Sequence, residues 1–230
     1  MRLLAFETSA KATSVALFED ARLLGEQYQE TGLTHSQTLM VMAQALLKQC
    51  DCAVEELGAV AVANGPGSFT GVRIGVAAAK GLAWGRQIPI YGVSTLEAMA
   101  LGLGAYQGYV CAVMDARRQQ VYNALFYVNR GVIERRTPDR AIALEDLKKE
   151  LLSLEEPIFL VGDGSLLCFD VLSAQIPNLV LPERHRLHQR AVGVGLAALE
   201  QKLPAEAAAL APNYLRLSQA ERERLARDQK

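Results

Sequence analysis

Cysteine is scarce in this sequence. Four occur in 230 residues, at Cys50, Cys52, Cys111 and Cys168. They are too few and too scattered for a disulfide framework. The single residue between Cys50 and Cys52 matches neither a redox pair nor a zinc knuckle, so buried, reduced thiols are expected. Surplus charge is also missing: 24 basic side chains face 25 acidic ones, for a formal net charge of −1. Residues 1–110 carry 7 basic and 9 acidic side chains, and residues 111–230 carry 17 and 16. A protein that grips nucleic acid unaided draws most of its affinity from neutralised phosphates, so neither half is suited to that task. Long apolar runs are absent, and none approaches the roughly 20 residues of a membrane helix. The opening Leu3-Leu4-Ala5-Phe6 is cut short by Glu7, well below the apolar stretch of an export signal. A soluble cytoplasmic protein with no membrane contact is the expectation.

Half the chain is apolar, enough for a sizeable core. Residues 2–6, 14–19 and 22–30 read as short strands. Residues 35–50 form an amphipathic helix behind Thr34, with Leu39, Met40, Ala43, Leu46 and Leu47 at helical spacing. A continuous apolar run at 57–63 suits a doubly covered strand, a turn follows at Asn64-Gly65-Pro66-Gly67, and a second helix is expected over 71–85. Residues 88–93 are a strand, and Ser94-Thr95 caps a short helix through Leu103. The order then starts over: strands at 109–115, 120–129 and 131–136, a helix at 144–154, a strand at 157–162, a helix at 165–175, a short strand at 179–181 and a helix at 188–202. Two similar α/β lobes around a cleft, residues 1–104 and 105–230, are expected, with a return of the C-terminal tail to the first lobe left open. The charged stretch 221–230 reads as a solvated helix or a frayed terminus.

Several segments could carry chemistry. Gly65-Pro66-Gly67-Ser68-Phe69-Thr70-Gly71 delivers a buried strand into a helix, and such a turn can present free N–H groups to an anion. It lacks the Lys-Ser or Lys-Thr of a phosphate-cradling loop, so a tight connection without ligand is the simpler reading. In the helix that follows, Gly71, Gly75 and Ala79 fall four apart, with Ala77, Ala78 and Ala83 nearby. Interior glycines cost about 1 kcal/mol each relative to alanine, a cost that close packing offsets. That packing is either internal or against a second protein, and spacing does not choose. Glu7-Thr8-Ser9 and Asp115-Ala116-Arg117-Arg118 end the first strand of each half, where carboxylates and hydroxyls suit phosphate or magnesium, but also ordinary turns. His35, His185 and His188 lack the companions of a metal site, and Ser68 has no base partner.

These segments resemble the bacterial TsaB (YeaZ) family. The resemblance lies in Gly65-Pro66-Gly67-Ser68-Phe69-Thr70-Gly71-Val72-Arg73, in Glu7-Thr8-Ser9 with Ser14-Val15-Ala16-Leu17, in Gly92-Val93-Ser94-Thr95-Leu96, in Met114-Asp115-Ala116-Arg117 with Val121-Tyr122, and in Pro212-Asn213-Tyr214-Leu215-Arg216. It spans nearly the whole chain. It implies an actin-like (ASKHA, ribonuclease H-like) α/β fold of two lobes, each a mixed sheet flanked by helices. It also implies a non-catalytic subunit that works with TsaD and the ATPase TsaE. Together they transfer the threonylcarbamoyl group from its adenylate to the adenosine adjoining the anticodon of tRNAs that read codons beginning with A.

Further expectations come with the resemblance. The catalytic relative TsaD carries a His-x-x-x-His metal pair, whereas here His35 is followed by Leu39, so no metal is expected. The pairing surface implied lies on the first two helices: His35, Leu39, Ala43 and Leu46 on one, and Gly71, Val72, Gly75, Ala78, Ala79 and Leu82 on the other. A homodimer is expected when the chain is alone, and tRNA contact only through the complex. No cofactor is expected on the isolated chain; a nucleotide at the interface with TsaD, or phosphate at Glu7, Thr8, Ser9 and Asp115, is left open. The alternative is an autonomous enzyme of the same fold, an ATP-dependent kinase or a metallopeptidase-like protein.

Overall fold

In a computed structural model, residues 1–104, 106–201 and 203–216 are described, so the expectation for 221–230 lies outside the described residues. The first sheet is built from β1 (Arg2–Glu7), β2 (Thr13–Glu19), β3 (Arg22–Gln29), β4 (Leu57–Gly65) and β5 (Ile90–Ser94), in the order β3-β2-β1-β4-β5. The β1, β2 and β3 strands pair antiparallel, while β4 and β5 run parallel to β1. Alternation along the strands separates two unlike faces. Leu4, Phe6, Val15, Leu17, Val60 and Val62 meet α1 (His35–Gln49) and α2 (Phe69–Arg86). The opposite face is rich in alanine, with Ala5, Ala16, Ala59, Ala61 and Ala63 beside Leu3, Phe18 and Val93. A face with so little side-chain volume accepts a helix only at close range.

The second sheet has β6 (Gly108–Asp115), β7 (Gln120–Asn129), β8 (Val132–Arg135), β10 (Ile158–Val161) and β11 (Leu179–Val180), in the order β11-β10-β6-β7-β8; β9 (Arg140–Ala143) pairs separately with β7. The sequence pattern missed β9, whose Arg-Ala-Ile-Ala is too short to display a period. One face packs α4 (Leu144–Leu151) and α5 (Ser165–Leu172); the other receives Leu96, Met99, Ala100 and Leu103 of α3 (Thr95–Leu103).

The last helix, α6 (Ala191–Glu200), departs from a simple division at residue 104. Its Ala191, Val194, Ala197 and Ala198 pack on the alanine face of the first sheet. Side chains added at Gly193 and Gly195 would run into the Ala98 carbonyl and the Phe18 ring. The second half therefore returns its final helix to the first lobe, beside α3, and the layers run α1/α2, sheet, α3/α6, sheet, α4/α5. The helix expected over 188–202 is shorter because Gln189 and Arg190 are committed elsewhere: the Arg190 guanidinium pairs with Glu26, and the Ala191 N–H donates to Ser14 Oγ.

Candidate functional site

The cleft between the lobes has a volume of about 450 Å³ and is bounded by strand ends. Glu7 ends β1, Thr8 and Ser9 follow it, and Asp115 ends β6; of these four, Ser9 and Asp115 line the cleft. Their side chains are differently committed. Thr8 is buried and its hydroxyl donates to the Gly71 carbonyl at 2.8 Å, tying β1 to α2 rather than facing a ligand. Asp115 Oδ1 accepts from the Arg117 N–H at 2.7 Å, and its other oxygen lies 3.3 Å from the Arg117 guanidinium. Glu7 is 1% exposed; one carboxyl oxygen accepts from the Ser9 N–H, while Oε2 has no partner among the described residues. Burial pushes the Glu7 carboxyl up to about 7, opposed by the Ser9 hydrogen bonds and reinforced by the nearby Asp163 charge.

Asp163 also lines the cleft, and sequence reasoning did not single it out. Its carboxylate accepts from Gln189 Nε2 at 3.2 Å, and burial raises its pKa as well. The available signal was positional, since Asp163 follows a core strand of the second sheet just as Glu7 ends one of the first. Asp115 and Asp163 line the cleft together with Lys11, Arg117 and Arg216, so carboxylates and cations face the same space. Among the described residues, no group of three or more His, Cys, Asp or Glu side chains is placed to hold a metal ion.

The glycine-rich turn is filled by the protein itself. The Ser68 N–H donates to the Ser9 carbonyl at 2.6 Å, and Ser68 Oγ caps α2 by accepting from the Gly71 N–H. Gly65 has φ +122°, and a side chain there would strike the Asn213 carbonyl; one at Gly67 would strike Ser9. These glycines admit main chain, which supports the ligand-free reading of the turn. His35 is equally occupied: its Nε2 donates to the Ala10 carbonyl at 2.8 Å and Nδ1 lies 2.7 Å from Thr13 Oγ1, fixing the tautomer and leaving neither nitrogen for a metal.

The expected pairing residues need correction. Leu39, Ala43 and Leu46 of α1, and Gly71, Val72, Gly75 and Ala79 of α2, are buried in the first lobe. A side chain at Gly71 would strike the Thr8 carbonyl, and one at Gly75 the Thr8 hydroxyl, so this glycine stripe exists for β1 and not for a second polypeptide. Of the ten, only His35, Ala78 and Leu82 keep partial exposure. The accessible apolar surface lies on the neighbouring flank of α2: Ile74, Ala78, Gly81, Leu82 and Gly85 recur at helical spacing, with Met40 exposed on α1. Among the described residues nothing lies within 4 Å of a side chain built at Gly81 or Gly85, and Trp84 is 71% exposed.

With this geometry in hand, comparison with known proteins is decisive. The family model described as "TsaD: tRNA N6-adenosine threonylcarbamoyltransferase" matches residues 29–223. The chain is 35% identical over 225 residues, 96% of each chain, to the tRNA threonylcarbamoyladenosine biosynthesis protein TsaB of Bacillus subtilis. It belongs to the TsaB family. It is also 41% identical over 124 residues, 53% of each chain, to the Escherichia coli protein of the same name. A solved Pseudomonas aeruginosa structure described as YeaZ aligns with TM-score 0.72 at 27% identity, covering 93% of this chain and 99% of that one. The ethanolamine utilization protein EutJ of Carboxydothermus hydrogenoformans, at TM-score 0.53 and 12% identity over 85% of this chain and 90% of its own, shares the fold alone. The fold is the expected actin-like one, with a mixed sheet and flanking helices in each lobe. No helix among the described residues is long and apolar enough to cross a membrane.

Proposed function

We propose that this chain serves tRNA threonylcarbamoyladenosine biosynthesis as a non-catalytic subunit that pairs with TsaD, is joined by TsaE, and meets tRNA only within that assembly. One observation carries the reading. The α2 helix holds two glycines, Gly81 and Gly85, with open space where side chains would sit, beside the partly exposed Ile74, Ala78 and Leu82. Each such glycine costs about 1 kcal/mol in an isolated helix, and no contact among the described residues offsets it. A second helix brought close along this flank does. The occupied nitrogens of His35 and the self-filled glycine turn agree with a subunit that leaves chemistry to its partner.

The decisive substitution is Gly81→Arg, which projects a charged side chain from that flank without touching the core. Co-purification with TsaD is expected to be lost while the circular dichroism spectrum and melting temperature hold. Retained co-purification refutes the surface assignment, and unchanged modified-nucleoside levels in tRNA after depletion of the chain refute the pathway. Alone, the chain is expected to self-associate through the same flank, and sedimentation of Gly81→Arg as a monomer checks this. The autonomous-enzyme reading has the cleft in its favour; calorimetric titration with ATP and magnesium tests it, and binding with turnover would establish it.

A further inference from the structure

After α6 the described residues stay on the molecule. From Ala205 to Arg216 the chain runs back across the first lobe and over the mouth of the cleft, with no helix and only a single bridge, Ala205 to Ile90 on β5. Its main chain is held by side chains of the lobe beneath it. Lys80 Nζ donates to the carbonyls of Ala208 and Leu210, and Asn64 Nδ2 to that of Ala211. The Leu210 side chain is buried against Gly92, where any side chain would collide with it. At the glycine-rich turn the Asn213 N–H donates to the Asn64 carbonyl at 2.6 Å. Tyr214 then stacks on Phe69 with centroids 4.7 Å apart, and its hydroxyl accepts from Arg73 Nε at 2.7 Å. Two residues later the Arg216 guanidinium donates to the Ala116 carbonyl of the second lobe.

We propose that residues 205–216 form a latch that holds the two lobes closed over the cleft, its first-lobe end seated at Tyr214 and its second-lobe end at Arg216. Asn213, Tyr214, Leu215 and Arg216 supply one wall of the cleft, so solutes reach its floor when the latch undocks. Because Tyr214 sits on Phe69 and Arg73, in the first turns of α2, the latch also joins the cleft to the helix whose outer flank is proposed to pair. The inference stands without that pairing, since it concerns contacts inside one chain.

Hydrogen exchange on the full chain tests it. The Ser9 and Ser68 amides lie on the cleft floor, bonded to Glu7 and to the Ser9 carbonyl. In Arg216→Ala and in Tyr214→Ala their exchange is expected to speed up roughly tenfold, in line with the loss of one aromatic stack or one charge-assisted hydrogen bond. Amides of the inner strands β1 and β4 keep their wild-type rates, which separates undocking from general destabilisation. Unchanged exchange at Ser9 and Ser68 in both variants overturns the latch, whether or not Asn213 itself exchanges faster. Faster exchange spread equally over β1 and β4 overturns it too.

Discussion

The buried Glu7 carboxyl makes stability depend on pH in a calculable way. In the unfolded chain the group titrates near its ordinary value of 4.5, and in the fold it titrates at about 7. Below pH 4.5 both states hold the proton and the group contributes nothing to the difference. Between 4.5 and 7 the unfolded chain ionises while the fold keeps its proton, so stability falls as pH rises. Above 7 the fall levels off, because the buried carboxyl is then ionised as well. One pKa unit is about 1.4 kcal/mol, so the total is about 3 kcal/mol lost between pH 4.5 and pH 8. Asp163, also raised by burial, adds in the same direction. Glu7→Gln keeps an oxygen for the Ser9 N–H and removes the titration. Urea denaturation at pH 5, 6, 7 and 8 is expected to give a slope that flattens in the variant, which overtakes the wild type at pH 8. Parallel pH curves for the two proteins would refute the assignment of a buried, proton-holding carboxyl to this position.

Other outcomes follow from the glycines. Gly75→Ala forces a methyl group onto the Thr8 hydroxyl and breaks its bond to the Gly71 carbonyl, so thermal melts should show a loss of roughly 1–3 kcal/mol. Gly81→Ala has open space and should raise the stability of the monomer by up to about 1 kcal/mol in the same assay. Equal effects at the two positions would mean that the inner and outer sides of α2 are wrongly assigned.

Much of the fold was legible. Doubly apolar runs such as 57–63 marked central strands, and the repeated order of strands and helices marked two lobes. Thr34 and Ser94 marked helix starts. The end of β1 and the end of β6 were identified as matching points, and Ser9, two residues past β1, and Asp115 both line the cleft. The direction of the α2 stripe was not legible. Small residues occur on both sides of that helix, Gly71, Gly75 and Ala79 on one and Ala78, Gly81 and Gly85 on the other, so periodicity fits either orientation. Asp163 escaped because its importance comes from Gln189 and Glu7, which are distant in sequence and adjacent only once α6 has folded back.

By itself, the sequence determined most of the strands and helices, that the chain has two α/β halves, and that His35 lacks a second histidine, because these depend on local period, turn chemistry and residue identity. Only the tertiary structure decided that the Thr8 carbonyl and hydroxyl occupy the Gly71–Gly75 stripe, that α6 covers the alanine face of the first sheet, and that residues 205–216 bridge both lobes. The reason is physical. A glycine records that something approaches closely, and the chain must fold before it is settled what that something is.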